Sequence, residues 1–126
     1  MRILLVEPDA QLAKTYARVL HDDGHEIVAA KTAQSAIHAA DAHQPQLVLL
    51  EMQLVSHSGI EFLYEFRSYD DWQNIPVIIL SIVPPGEFSG NRELLEQALG
   101  VVGYYYKPHT TLADLRKLVT KVTIGT

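Results

Sequence analysis

Four polar residues each follow an apolar run in this chain: Glu7 after "ILLV", Glu51 after "LVLL", Ser81 after "VIIL" and Lys107 after "YYY". Two carboxylates, a hydroxyl and an ammonium gathered in one place could hold a cation or handle a charged oxygen group. A carboxylate beside a lysine would stay ionised there, because an opposite charge nearby favours the charged form. A single polar residue at the exit of a strand means little, since every strand must reach water. Four at one edge of one sheet would make a site, and whether they share an edge depends on the elements that carry them.

The apolar runs lie at residues 3–6, 26–30, 47–50, 77–80 and 104–106, and their unbroken apolarity suits strands buried on both faces. Helical periods separate them. Leu12, Tyr16, Val19 and Leu20 share a face, and that helix stops at Gly24 in "DDG". Thr32 caps a second helix with Ala36, Ile37 and Ala40 inward, and Pro45 divides it from the third strand. Ser58 and Glu61 predict a capping box before Phe62, Leu63 and Phe66. Pro84, Pro85 and Gly86 predict a loop, after which Asn91 caps a short fourth helix over 92–99 that Gly100 ends. A fifth helix follows Thr111, with Asp114 in its first turn and Leu112, Leu115, Val119 and Val122 toward the sheet. The order is (βα)5, which predicts an α/β fold with a doubly wound parallel five-stranded sheet. Such sheets collect their sites beyond the carboxyl ends of the strands.

Composition bounds the rest. With 126 residues, 48% hydrophobic and 20% charged, residues 1–126 read as one domain with a real core. The absence of cysteine excludes disulfides and thiolate metal sites. No apolar run approaches the roughly 20 residues of a membrane span, and acids interrupt "MRILLVEPD" too early for a signal peptide. A cytoplasmic location is expected, with no membrane contact. A net charge of -5 and scattered basic residues argue against nucleic-acid binding.

The histidines at 21, 25, 38, 43, 57 and 109 form no helical i, i+4 ligand pair, so no zinc site is expected, and His57 and His109 are expected to flank the pocket. Tyr104 and Tyr106 share one side of their strand, which makes Tyr105 the expected core residue. Trp72 reads as packing. Arg116, Lys117 and Lys121 read as a solvated helix face.

In type and spacing, "ILLVEPD", "LVLLEMQLVSHSGIEFL", "VIILS" and "GYYYKP" resemble the receiver domain of bacterial two-component response regulators, the chemotaxis-regulator-like fold, over nearly the whole chain. The resemblance implies a flavodoxin-like strand order of 2-1-3-4-5. In that family an aspartate ending the third strand accepts a phosphoryl group from phosphohistidine. An acidic pair after the first strand holds Mg2+, a lysine completes the clamp, and a hydroxyl on the fourth strand senses the phosphoryl group. By position, Glu51 is the acceptor equivalent, Glu7 and Pro8 the acidic pair, Ser81 the hydroxyl, Lys107 the lysine and Tyr104 the switch aromatic.

Two of these depart from what the chemistry requires. Glu51 is one methylene longer than aspartate, and a displacement of about 1 Å can cost about 10²-fold in a reaction that depends on positioning. Pro8 has no side-chain oxygen for Mg2+, an ion bound through oxygens. Asp9, just before a helix, is expected to N-cap it. Ile82 stands where a small residue would leave the pocket open, the path from Ser81 to Lys107 is longer than usual, and His109 follows "KP".

The expectation is therefore a non-enzymatic signalling module with a degenerate phosphoacceptor site, independent of phosphorylation and acting through protein contacts. An ion pair between Glu51 and Lys107 is expected. Glu51 either imitates a phosphorylated aspartate or is an unused relic, since one carboxylate carries less charge than a phosphoryl group. No cofactor and no metal are expected, Glu7 and Glu51 being the only weak ligands. The resemblance implies a histidine kinase, an output domain or a downstream protein as partner, and the face of the fourth helix, fifth strand and fifth helix is the candidate surface for a homodimer. The alternative is a phosphorylatable receiver of a phosphorelay, which would use Mg2+. A flavodoxin-like enzyme or ligand binder is a third reading, against which "EPDAQ" lacks the glycines of a phosphate loop.

Overall fold

The computed structural model describes residues 1–125, with the backbone alone at 88, 89 and 125. Five strands, β1 (Arg2–Val6), β2 (Glu26–Ala30), β3 (Leu47–Leu50), β4 (Val77–Ser81) and β5 (Val101–Tyr106), form one parallel sheet in the order β2-β1-β3-β4-β5. Four α-helices cover it: α1 (Ala10–Asp22), α2 (Ala33–His43), α3 (Gly59–Ser68) and α4 (Leu112–Gly125). Between β4 and β5 the chain is helical in a different way, with a 3-10 run Pro85–Asn91 and a π-helical turn Leu94–Ala98.

The unbroken apolar runs follow from this two-sided covering, because alternate residues of one strand face opposite layers. Leu4, Val6, Val48, Leu50, Val77 and Ile79 pack beneath α2, α3 and the 85–98 segment. Ile3, Leu5, Leu47, Leu49, Ile78 and Leu80 pack beneath α1 and α4. Trp72 is a packing residue, its ring stacked 5.0 Å from that of Phe66.

The caps of α1 and α2 are as expected. Asp9 Oδ1 accepts from Gln11 N–H at 2.9 Å and Leu12 N–H at 3.0 Å, and Thr32 forms a reciprocal box with Ser35. At α3 only half of the predicted box forms. Ser58 accepts from Glu61 N–H at 3.2 Å, but the Glu61 carboxylate pairs with His57 at 2.7 Å.

The 82–106 region departs most from expectation. The segment from Pro85 is not a loop but a 3-10 run, with proline at its first turn where a missing N–H costs nothing. The fourth helix is not a regular α-helix capped by Asn91. It closes as a π turn in which Leu99 N–H reaches Leu94 C=O at 3.0 Å. The fifth strand starts at Val101 instead of Tyr104, with an irregular register opposite Val77 and Ile78. Tyr105 packs against one layer and Tyr104 against the other, so both share in the core.

Candidate functional site

The sheet brings Glu7, Glu51, Ser81 and Lys107 together at its carboxyl edge. Glu51 is 2% exposed, Glu7 2% and Ser81 0%. The Lys107 ammonium lies between the carboxylates, 2.6 Å from Glu51 Oε1 and 2.5 Å from Glu7 Oε1. The expected Glu51–Lys107 pair therefore forms, as one arm of a three-residue bridge.

Glu51 accepts hydrogen bonds at both oxygens. Oε1 takes Lys107 Nζ and the Ile82 N–H at 2.9 Å. Oε2 takes the Ser81 hydroxyl, through a very short bond, and the Gln53 N–H at 3.0 Å. Burial works against the ionised carboxyl, but the bonds from Lys107, Ser81, Gln53 and Ile82 outweigh it and hold the group below its usual range. At Lys107 burial likewise works against the charge, and the bonds to Glu51 and Glu7 outweigh it, so its affinity for a proton is raised. Glu7 Oε2 accepts the Asp9 N–H at 3.0 Å.

Mg2+, implied by the resemblance, needs carboxylate oxygens facing an open position. Here each oxygen of Glu7 and Glu51 already accepts from an N–H or O–H donor, and Pro8 offers none. The residues present do not fit the ion unless Lys107 is displaced.

The loop after β3 is pinned close to this cluster. Gln53 bridges to Ser58, and Gly59 N–H reaches Met52 C=O at 2.8 Å. A Cβ at Gly59 would lie 2.8 Å from Met52 Cα, so only glycine permits that approach. Beyond β4, Val83 N–H bonds Ser81 Oγ at 3.0 Å, and the Tyr104 hydroxyl donates to Val83 C=O at 2.7 Å. Glu51, Ser81, Val83 and Tyr104 thus form one hydrogen-bonded chain from the buried cluster toward β5.

A shallow cavity of about 670 Å3 opens above the cluster. Its floor includes Glu7, Glu51 and Lys107, and Pro8, Val55 and Ile82 stand on its rim. Ile82 is 49% exposed, so its side chain borders the mouth while its N–H serves the floor. Asp9, beside it, spends one oxygen on its cap.

The two histidines expected at this pocket lie elsewhere. His57 pairs with Glu61 over a separate groove between α2 and α3, and the His109 ring meets Tyr106 edge-on at 5.0 Å. Arg116, read as solvated, makes a bidentate pair with Asp23 at 2.8 and 2.9 Å. Sequence reasoning missed the two N–H donors of Gln53 and Ile82, because a backbone donor carries no residue signature. It also missed Arg67, which donates to the carbonyls of Leu99, Trp72 and Gly100. An arginine inside an otherwise apolar helical face was the signal available for it.

The model of the response regulator receiver domain matches residues 3–120. Among curated proteins, the chain is 31% identical over 117 residues to the transcriptional regulatory protein PdtaR of Mycobacterium tuberculosis, covering 90% of this chain and 52% of that one. It therefore spans about half the length of this relative. It is 26% identical over 106 residues to the polar-differentiation response regulator DivK of Brucella anthropi, covering 84% of this chain and 83% of that one. Among solved structures, chemotaxis protein CheY4 of Vibrio cholerae superposes with a TM-score of 0.83 at 20% identity, over 96% of this chain and 97% of that one. At that identity the likeness is one of fold.

Proposed function

We propose that this chain, which belongs to the response regulator receiver domain family, passes on its signal without taking a phosphoryl group. The observation that carries this reading is the Glu51 carboxylate, held by Lys107, Ser81 and the N–H groups of Gln53 and Ile82. That donor set is what an anionic oxygen group needs, and the protein's own side chain satisfies it. A longer carboxylate so held is poorly placed for in-line attack on phosphorus, where positioning supplies most of the rate. Pro8, which has no side-chain oxygen, and the Lys107 ammonium held against Glu7 further support a site that works without Mg2+.

In this reading Glu51 imitates the phosphorylated state, and the Glu51–Ser81–Val83–Tyr104 chain holds the 85–98 segment and β5 in one arrangement. The module is no enzyme. It works in the cytoplasm through protein contacts on the face formed by the 85–98 segment, β5 and α4, toward an output domain, a downstream protein or a second copy. In this reading a histidine kinase that docks here transfers no phosphate.

Incubation with a small phosphodonor and Mg2+, followed by intact mass measurement, tests it. The wild type should keep its mass, and the double variant Glu51→Asp, Pro8→Asp should gain a phosphoryl group. A phosphorylated wild type would overturn the reading. Amide exchange across the 85–98 segment tests the imitation separately: Glu51→Ala should speed it, and an unchanged rate would leave Glu51 a relic.

A further inference from the structure

The sheet ends in two edge strands, β2 and β5, and they are not protected alike. An edge presents unpaired N–H and C=O groups, and proteins blunt it with prolines, bulges, charges or a covering segment. At β5 the register is irregular opposite Val77 and Ile78, and the 85–98 segment packs against the strand. β2 runs in unbroken register with β1 from Glu26 to Ala30, and its residues 27–30 include no proline, glycine or charge.

Which groups of β2 face outward follows from its bonds to β1. The Glu26 N–H donates to Met1 C=O at 3.0 Å, and Ala30 C=O accepts from the Glu7 N–H at 2.9 Å. With the register of Ile3 opposite Ile27, the even-numbered residues of β2 therefore turn their main chain toward β1. Main-chain direction alternates along a strand, so the N–H and C=O of Ile27 and Ala29 point away from the sheet. Ala29 is exposed, and Ile27 and Val28 are half-buried.

We propose that this chain self-associates through β2, two copies joining antiparallel, edge to edge, into one continuous sheet. A two-fold axis at Val28 fits the pattern of outward groups. It sets Ile27 of each copy opposite Ala29 of the other, and each such pair exchanges two N–H to C=O bonds, so all four outward groups of each strand are used. Val28 then meets Val28 as a pair without main-chain bonds, and the seam is apolar. Charge is complementary as well. The same register carries Lys31 beside the C-terminal turn of the other copy's α1, where Asp22 stands and the negative end of the helix dipole adds to it. Lys31 and Asp22 are both exposed, and among the described residues neither forms an ion pair within its own chain. A two-fold supplies both partners of every such contact from a single surface. One short strand buries less than the roughly 1,200 Å2 of a standard interface, so the dimer is weak and depends on concentration. It uses none of the Glu51 cluster and leaves the face of the 85–98 segment and β5 free, so it stands independently of the reading above.

The test is disulfide trapping of the full chain. The protein has no cysteine, so Val28→Cys introduces its sole thiol. In the proposed pair the two Cα atoms at this position lie about 4.5 Å apart, within the spacing a disulfide bridges. Val102→Cys, at the exposed edge of β5, is the comparison. In a glutathione buffer, followed by intact mass measurement, the Val28→Cys protein should accumulate a covalent dimer faster than the Val102→Cys protein. Adding Ala29→Pro, which removes only an outward N–H, should weaken association at least about fivefold. Adding Lys31→Glu should weaken it about 2- to 25-fold over the two symmetric pairs, and a further Asp22→Lys should restore it. Amide spectra of the reduced proteins that match the wild type away from β2 would show that the variants are folded. In the wild type, concentrating the 15N-labelled chain should shift the amides of Ile27 and Ala29 first. Trapping at Val102 as fast as at Val28, or trapping at Val28 that ignores both Ala29→Pro and Lys31→Glu, would overturn the proposal. So would concentration-dependent shifts centred on the 85–98 segment and β5, or none at all.

Discussion

Glu51 keeps its charge at 2% exposure because Lys107, Ser81 and two backbone N–H groups replace the water it has lost. The partners are unequal, and that orders the expected effects of substitution. Lys107→Met leaves two buried carboxylates without a cation and should cost about 3–5 kcal/mol in urea denaturation. Glu51→Ala should cost less, about 1–3 kcal/mol, because Lys107 keeps Glu7 and the groups left unpaired are a hydroxyl and two N–H donors. The same cluster sets a pH window. Glu51 titrates below its ordinary 4.5 when folded, so its contribution is complete above that pH and is lost as pH falls through the depressed value. Lys107 titrates above its ordinary 10.5, so its contribution is complete below that pH and is lost as pH rises through the raised value. Thermal denaturation against pH should show both limbs, and Glu51→Gln should flatten the acid limb below 4.5. An acid limb as steep as the wild type's in that variant would place the acid sensitivity elsewhere.

At the scale of elements, the junction of α3, the π turn and β5 depends on one arginine and one glycine. Arg67 accepts no substitute readily, since its fork reaches three carbonyls at once. Gly100 adopts φ +67°, and a Cβ there would lie 2.7 Å from Arg67 Nη2. Gly100→Ala should therefore destabilise by about 1–3 kcal/mol, more than a glycine at an ordinary φ would. Arg67→Leu should cost a similar amount, about 1–3 kcal/mol, because it strips the donors from these carbonyls. Amide exchange should then quicken first at Leu99 and through the π turn, whereas α1 and β1 should keep wild-type protection. At the other edge, Asp9→Ala removes only a cap and should cost about 1 kcal/mol. The caps of α1 and α2 were readable because each is a contact within a few residues of chain. The π turn was not, because its form depends on Arg67 and Gly100, which meet only once α3 and β5 are in place.

At the scale of the molecule, the sheet is a device for bringing distant strand ends together. Glu7 and Lys107 are 100 positions apart in sequence and 2.5 Å apart in space. If the receiver rests in one state, beryllofluoride with Mg2+ should leave the wild-type amide spectrum unchanged, and NMR should show shifts only in the variant with aspartate at positions 8 and 51. The sequence by itself determined the (βα)5 order, since two-sided burial writes unbroken apolar runs and one-sided burial writes a helical period. It also determined which four side chains would meet, because each directly ends a run and parallel strands all present their carboxyl ends at one edge. It identified the departures at Pro8, Glu51 and Ile82, which are matters of residue type. Only the tertiary structure decided that Lys107 bridges two carboxylates, that Gln53 and Ile82 lend their N–H groups, that His57 belongs to the α2–α3 groove, and that Arg67 turns inward. Those outcomes rest on distances between segments and on backbone donors shared by nearly every residue type, and neither is written in the identity of any single residue.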